Sequence, residues 1–285
     1  MSEEVHPEAA RLDALSTLEV LELMQAEDRR AVDAVSRHLD EVAAAVEAIA
    51  SRLRAGGTLH YFGAGTSGRL AELDALETGP TFGVSDVRSH AAGDGAAEDD
   101  GEKGARDAAA AGLRPGDAVV GISASGRTSY VVEAMKVARS AGALVVTLSC
   151  ASGSPLSALA NIAIEIETGP EVIAGSTRLK AGTVQKTVLN MISTGVFVRL
   201  GRTYRGRMVG VAPANAKLKR RAVALIRDLA ETSSADAERA LEAARGSARV
   251  AVLMLRCGVS AEQAAGLLDQ NEGDLAAALG ERSRL

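Results

Sequence analysis

Aromatic side chains are nearly missing from this sequence. Of 285 residues only 2% are aromatic, three Tyr and three Phe, and Trp is absent. Base-stacking platforms and aromatic carbohydrate-binding faces are therefore excluded as the main recognition device. A basic excess is missing too. The net charge of −5 argues against a general nucleic-acid binder, and any positive potential must be local. The two cysteines, Cys150 and Cys257, have no ligand-like spacing and read as buried reduced thiols. The histidines His6, His38, His60 and His90 are scattered without an H-x-x-x-H or H-E-x-x-H pattern, so no metal site is expected. No apolar run approaches the roughly 20 residues that cross a bilayer, and the opening MSEEVHPEAA lacks the basic and apolar regions of a signal peptide. A cytoplasmic protein with no membrane partner is expected. The patterns G-x-x-x-x-G-K-[ST] and G-x-S-x-G are also lacking, which leaves an NTP-binding P-loop and a hydrolase elbow without support.

What is present is a substantial apolar fraction, 47%, enough for a large core, and one informative stretch, His60 to Phe82. Thr58 to Phe62 is short, apolar and rich in strand formers. Gly63, Gly65 and Gly68 allow a sharp turn and close approach to a ligand. Thr66 and Ser67 stand where a helix begins, and a helix start offers unpaired N–H groups and partial positive charge to an anion such as phosphate. The same glycines match the dinucleotide fingerprint G-x-G-x-x-G, with Asp86 at about the distance of a ribose-binding acid. A merely structural tight turn is the third reading.

Along the chain, Ser16-Thr17-Leu18-Glu19 is a capping box that opens a helical region. A longer helix is expected from Asp28 to Arg54, with Val32, Val35, Leu39, Val42, Val46, Ile49 and Leu53 on one stripe. Such a stripe packs on its own domain or on a second subunit. Strands are expected at Thr58 to Phe62, Asp86 to Ala92, Ala118 to Ile122, Ala143 to Leu148 and Ile162 to Ile166. Between them helices are expected at Ala96 to Ala111 and Tyr130 to Ala141. The alternation implies a parallel sheet covered on both faces. A long helix is expected from Arg178 to Leu200, and short helices fill the chain from Asn215 onward. The expected organisation is an N-terminal helical segment (1–46), an α/β domain (47–212) and a small all-helical C-terminal domain (213–285), with a boundary at Ala212-Pro213.

Two loops of similar chemistry each follow an expected strand and precede a helix. One is Gly65-Thr66-Ser67-Gly68, the other Ser123-Ala124-Ser125-Gly126-Arg127-Thr128. In a parallel sheet both leave the carboxyl ends of their strands, where ligands bind. Two Ser/Thr clusters and a helix start can surround a phosphate monoester with neutral donors; an ordinary capped turn is the plainer reading of the second. Glu77 stands just before Pro80, where the helix is expected to end. Glu98, Asp99, Asp100 and Glu102 form a charge run, which by itself reads as a solvated or capping face. Two carboxyls at one sugar can divide general-acid and general-base work.

GAGTSGRL together with SASGRT resembles the sugar isomerase (SIS) phosphosugar-binding family. LDALETGPTFG, AAED and GSTRLKAGTVQKTVLNMISTG resemble that family's etherase branch, and the likeness runs from Ser16 to the helical tail. The resemblance implies a flavodoxin-like α/β core, a homodimer, and no metal or organic cofactor. It implies cleavage of the D-lactyl ether of N-acetylmuramic acid 6-phosphate by elimination and hydration, in cell-wall recycling. Carried over by position, Glu77 matches the acid and Glu98 the second catalytic carboxyl, with Asp99 an alternative C2 base. Gly65, Thr66, Ser67, Ser123, Ser125, Gly126 and Thr128 match the phosphosugar-binding positions, and Arg178 and Lys180 are read as added charge or as helix surface. The chain departs from the family at Thr78-Gly79-Pro80-Thr81-Phe82, where Cys-Pro-Pro-Thr-Tyr is usual, and in a shorter lead-in, 91–97, to Glu98. The tail from Gly258 to Leu279 resembles a small UBA-like helical module. A non-catalytic phosphosugar sensor and a phosphosugar isomerase share the loops and stand as alternatives.

Overall fold

The apolar runs form strands, and their burial decides the architecture. In the computed structural model, which describes residues 4–93, 95–210 and 215–281, β1 (Leu59–Ala64), β3 (Ala118–Ser123) and β4 (Leu144–Ser149) are buried along their whole length. A strand without a solvent face needs layers on both sides, which is the circumstance of a parallel sheet. With β2 (Val87–Ala92) and β5 (Ile162–Glu165) they make one sheet in the order β2-β1-β3-β4-β5, every pair parallel. This is the flavodoxin-like order. Gly63 of β1 is level with Ile122 of β3, so the two hydroxyl-rich loops leave adjacent strands at the same edge.

The helices follow their caps. Ser16 and Glu19 close the expected capping box on α1 (Thr17–Val35). The single helix expected from Asp28 to Arg54 is in fact the end of α1 and a separate α2 (Leu39–Arg54). The Ser36 hydroxyl donates to the Asp33 carbonyl at 2.6 Å, and Ser36–His38 form a tight 3-10 turn. The stripe divides there. Val42, Val46 and Ile49 are buried, whereas Val32 and Leu39 are exposed. The helix expected at Ala96 to Ala111 is likewise two, α4 (Gly95–Glu98) and α5 (Gly101–Ala110). Asp100 caps the second by accepting from the Lys103 N–H at 2.7 Å. After β1, α3 (Gly65–Phe82) continues past Pro80. Pro80 gives up its own N–H bond and crowds the carbonyl four residues back, and the helix ends two residues later instead of stopping before it.

The chain divides into two compact units, Met1–Ala75 with Asp86–Thr194, and Leu76–Ser85 with Gly195–Leu285. In the first, Phe62, Val119, Tyr130, Val131, Met135 and Val145 form a core between the sheet and α6 (Ser129–Ser140). Asp74, 3% exposed, accepts from the Tyr61 hydroxyl of β1 and from the Ser193 hydroxyl of α7 (Lys180–Arg199), each at 3.0 Å. A buried carboxylate is tolerated only when so bonded, and here it ties three elements together. The second unit holds a hairpin of β6 (Thr203–Tyr204) and β7 (Arg207–Met208), then α8 (Ala216–Ala230), α9 (Ser234–Ala243), α10 (Ala248–Cys257), α11 (Ala261–Gln270) and α12 (Leu275–Ala278). Ile226, Leu229, Leu241, Ala251, Leu253 and Leu275 lie in its core. The boundary expected at Ala212-Pro213 lies outside the described residues. No single described helix is long and apolar enough to cross a membrane. Cys150 is buried as expected, but Cys257 is exposed. It ends α10 beside the left-handed Gly258, where the helix has turned away from the core.

Two of the scattered histidines meet in the sheet. His60 Nδ1 is 3.1 Å from His90 Nε2, and the His90 ring stacks on Phe62 with centroids 4.4 Å apart. Burial, aided by the His90 charge, pushes His60 down to about 4. The unfolded chain takes up this proton near 6.5, so the native state is favoured above that pH and loses stability as pH falls from 6.5 toward 4. The loss amounts to about 3 kcal/mol for that difference in affinity. His60→Phe keeps a ring against His90 and removes the proton site. Urea titrations at pH 7 and pH 4.5 are expected to show a smaller acid-induced loss in the variant than in the native protein.

Candidate functional site

The first turn of α3 lies backbone against backbone on the end of β1. A Cβ at Gly63 would stand 2.8 Å from the Gly68 nitrogen, and one at Gly68 would stand 2.9 Å from the Gly63 oxygen. Both positions therefore require glycine, and the helix starts with no loop after the strand. Gly65 makes the turn at φ +54°. Thr66 is half-buried and Ser67 is buried, donating its hydroxyl to Gln185 Oε1 of α7 at 2.9 Å. Thr66 also touches α7, its Cγ2 lying 3.6 Å from where a Cβ of Gly182 would be. Sequence reasoning overlooked Gln185. The available signal was its place directly after Val184 and three residues before Val188, both fully buried, within the segment already singled out.

The second loop is a hydroxyl network. Ser123 Oγ is 2.8 Å from Thr128 Oγ1 and 3.5 Å from Ser125 Oγ. It also accepts from the Gly126 N–H at 3.0 Å, while Ser125 Oγ accepts from the Arg127 N–H at 3.2 Å. Gly126 has φ +66°, and a Cβ there would overlap Ser154. Thr128 occupies the N-cap of α6 but its side chain makes no capping bond. The Thr128 carbonyl accepts from the Val131 and Val132 N–H groups, but its side chain claims none, so the N–H groups of Ser129 and Tyr130 at the helix start are not covered by a side-chain cap, an arrangement suited to an anion.

The shortened lead-in still delivers Glu98 to the glycine turn. The chain leaves β2, makes the single turn α4 and ends it on Glu98. A Cβ at Gly65 would overlap Glu98 Oε1, so this carboxylate lies against the start of α3, where the helix dipole favours negative charge. Asp99 next to it is exposed. Glu77 lies on the later part of α3, exposed, within the second unit. The first unit therefore brings together Gly65, Thr66, Ser67 and Glu98, with Ser123, Ser125, Gly126 and Thr128 on the neighbouring strand end. Glu77 is not among them.

The two cations separate. Arg178 is exposed, whereas Lys180 is 3% exposed and paired with Glu27 of α1. Burial works to raise the Glu27 carboxyl, but Lys180 and Arg30 hold it below the ordinary range. Glu171 accepts from the Lys180 and Ala181 N–H groups at 3.2 and 3.0 Å, so α7 already has an anion at its start. Burial, with the Asp28 charge, pushes Glu171 up despite those bonds. Among the described residues no three His, Cys, Asp or Glu side chains converge to hold a metal ion.

A protein from Rubrobacter xylanophilus described as N-acetylmuramic acid 6-phosphate etherase is 46% identical over all of this chain and 97% of its own length. A Geobacillus thermodenitrificans protein of the same description is 45% identical over 98% of each chain. The chain belongs to the N-acetylmuramic acid 6-phosphate etherase family. The SIS domain matches residues 96–194. That span contains Glu98, the second hydroxyl loop and Gln185, while the glycine turn lies before it. Among solved structures, a putative phosphosugar isomerase involved in capsule formation from Bacteroides fragilis aligns with a TM-score of 0.54 at 22% identity, covering 67% of this chain and 95% of that one. A phosphoheptose isomerase from Francisella tularensis aligns with a TM-score of 0.52 at 17% identity, covering 65% of this chain and 100% of that one. These two likenesses concern the fold.

The glycine contacts predict a graded series. Gly112 has φ +65° and open space around it, Gly126 combines a similar φ with a clash on Ser154, and Gly65 faces the far end of the Glu98 side chain. Gly112→Ala is expected to lose only the backbone cost, about 1 kcal/mol. Gly126→Ala is expected to lose at least about 1 kcal/mol more, and Gly65→Ala to fall between them because Glu98 can swing away. Urea denaturation midpoints check the order.

Proposed function

We propose that this chain cleaves the D-lactyl ether of N-acetylmuramic acid 6-phosphate, releasing D-lactate and N-acetylglucosamine 6-phosphate in the recycling of cell-wall amino sugars. The observation that carries this reading is the 46% identity over the whole chain to an etherase. A carboxylate held at a hydroxyl-lined helix start suits that chemistry. The 6-phosphate is held by neutral donors, the hydroxyls of Thr66, Ser67, Ser123, Ser125 and Thr128 and the start of α6, with Gly65 and Gly126 shaping the two turns around it. Neutral donors suit a dianion that must later be released, since they attract it without a fixed counter-charge.

The reaction takes place at the other end of the sugar. Ring opening exposes the C1 aldehyde, which acidifies the C2 proton. A carboxylate takes that proton, the C3–O bond breaks, and lactate leaves with a proton from the general acid as the C2=C3 bond forms. Water then adds its hydroxyl to C3 and a proton returns to C2, so the sum is hydrolysis of the ether. Glu98 is assigned as the C2 base by its place in AAED, in preference to Asp99, which is exposed. Glu77 is assigned as the acid by its place in LDALETGPTFG. The working form in this reading is a cytoplasmic homodimer. Exposed apolar side chains support an association face: Leu18 and Leu21 on α1 are 65% and 56% exposed.

Release of D-lactate from N-acetylmuramic acid 6-phosphate tests the reading. The native protein is expected to release it, and Glu77→Gln and Glu98→Gln are each expected to lower kcat by about 10²–10⁴-fold while still binding N-acetylglucosamine 6-phosphate. Phosphosugar binding by the native protein without lactate release, or isomerisation in its place, would sink the etherase assignment. Leu18→Glu with Leu21→Glu is expected to move the sedimentation coefficient from dimer to monomer; an unchanged native-like dimer would remove α1 from the interface.

A further inference from the structure

Gln185 carries an amide that is half unused. The residue is 1% exposed. Its Oε1 accepts the Ser67 hydroxyl at 2.9 Å, while its Nε2 is buried with no hydrogen-bond partner. Leaving buried amide donors unpaired forfeits the hydrogen bonds they made to water. A methionine of nearly the same shape at this buried position of α7 would avoid that cost, so the amide calls for a reason.

Ser67 supplies one. A hydroxyl has a single hydrogen, and here it is committed to Gln185. An oxygen in that state presents only lone pairs, which repel a phosphate. The same two side chains admit a second pairing. A half-turn of the amide about Cγ–Cδ exchanges Oε1 and Nε2, groups of almost equal size. Nε2 then donates to Ser67 Oγ, and the Ser67 hydrogen turns to the ligand. The unpaired atom becomes a carbonyl oxygen, which is tolerated buried more often than an N–H.

We propose that Gln185 is a positioning residue for phosphosugar binding: its amide turns over when the ligand arrives, changing from acceptor to donor toward Ser67 and so making Ser67 a phosphate donor. This rests on the reading of Ser67 as a phosphosugar ligand. Gln185 touches the substrate only through Ser67. In the free protein the pair is self-satisfied at the hydroxyl and idle at the amide nitrogen; in the loaded protein the roles reverse.

Two measurements with N-acetylglucosamine 6-phosphate as the probe test it. In ¹⁵N-labelled native protein the Gln185 side-chain N–H pair, assigned by its disappearance in Gln185→Met, is expected to show one proton moving downfield on saturation, and Ser67→Ala is expected to abolish the movement. By calorimetry at alkaline pH, Gln185→Glu, whose ionised carboxylate can only accept, is expected to weaken binding about tenfold or more. In the Ser67→Ala background that penalty is expected to shrink by at least about fivefold, the size of a contact coupling. An equal penalty in both backgrounds, which simple charge repulsion produces, overturns the proposal, as does an unmoved N–H pair at saturation. Should Gln185→Glu not fold, the resonance alone decides. If Ser67→Ala binds the phosphosugar as tightly as the native protein, the assignment of Ser67 as a ligand fails and the proposal falls with it; if Ser67→Ala weakens binding but no coupling appears, only the role of Gln185 fails.

Discussion

Backbone contact between the end of β1 and the first turn of α3 sets the position of the groups around it. Gly63 and Gly68 approach too closely for any side chain, so the helix begins where the strand stops. Three consequences follow. Ser67 is pressed inward onto Gln185 instead of standing in solvent. The open side of Gly65 is left to the Glu98 carboxylate. The helix also acquires a second fixed point at Asp74, bonded to Tyr61 of the same strand that supplies Gly63. A rod held at two points has little freedom to pivot. The conformational entropy that glycines forfeit on folding is offset by a helix start that needs no further loop to define it.

Charge is distributed to match. The hydroxyl loops offer neutral side-chain donors with Arg127 as the one cation within them, and the buried Lys180 is spent on Glu27. Removing two charges from water costs several kcal/mol, so that pair is poor evidence of net stability. Its value lies in register: it fastens α1 to the first residue of α7, while Glu171 covers the N–H groups there. The start of α7 is thereby closed to anions, and the start of α6, without a side-chain cap, stays open. Two helices of similar polarity end up with opposite capacities because of a single acidic residue.

Much of this was legible in the sequence. The strands alternate with helices where expected, and β1, β3 and β4 follow continuous apolar runs, because burial on both faces leaves little room for another reading. The hydroxyl loops stand where they were expected, at the ends of β1 and β3 and before helices. Breaks inside helices were not. Ser36 on the Asp33 carbonyl, Asp100 on the Lys103 N–H and the tolerated Pro80 are each decided by one hydrogen bond gained or lost, an increment that periodicity averages away. The exposure of Cys257 depends on which way α10 faces, and the pairing of His60 with His90 depends on β1 and β2 being neighbours. The closeness of Glu98 to Gly65 and of Gln185 to Ser67 joins residues 33 and 118 positions apart, which only the assembled sheet can bring together.

The chain passes from one compact unit to the other after Ala75, returns after Ser85, and passes again after Thr194. The second unit is thus built from two separate stretches of chain, one of them only ten residues long, and the crossings at Ala75 and Thr194 fall inside α3 and α7 and not in linkers. No single cut yields either unit whole. A cut after Thr194 would release residues 195–285 without the stretch Leu76–Ser85, so the helical unit cannot be excised or grafted whole at one junction.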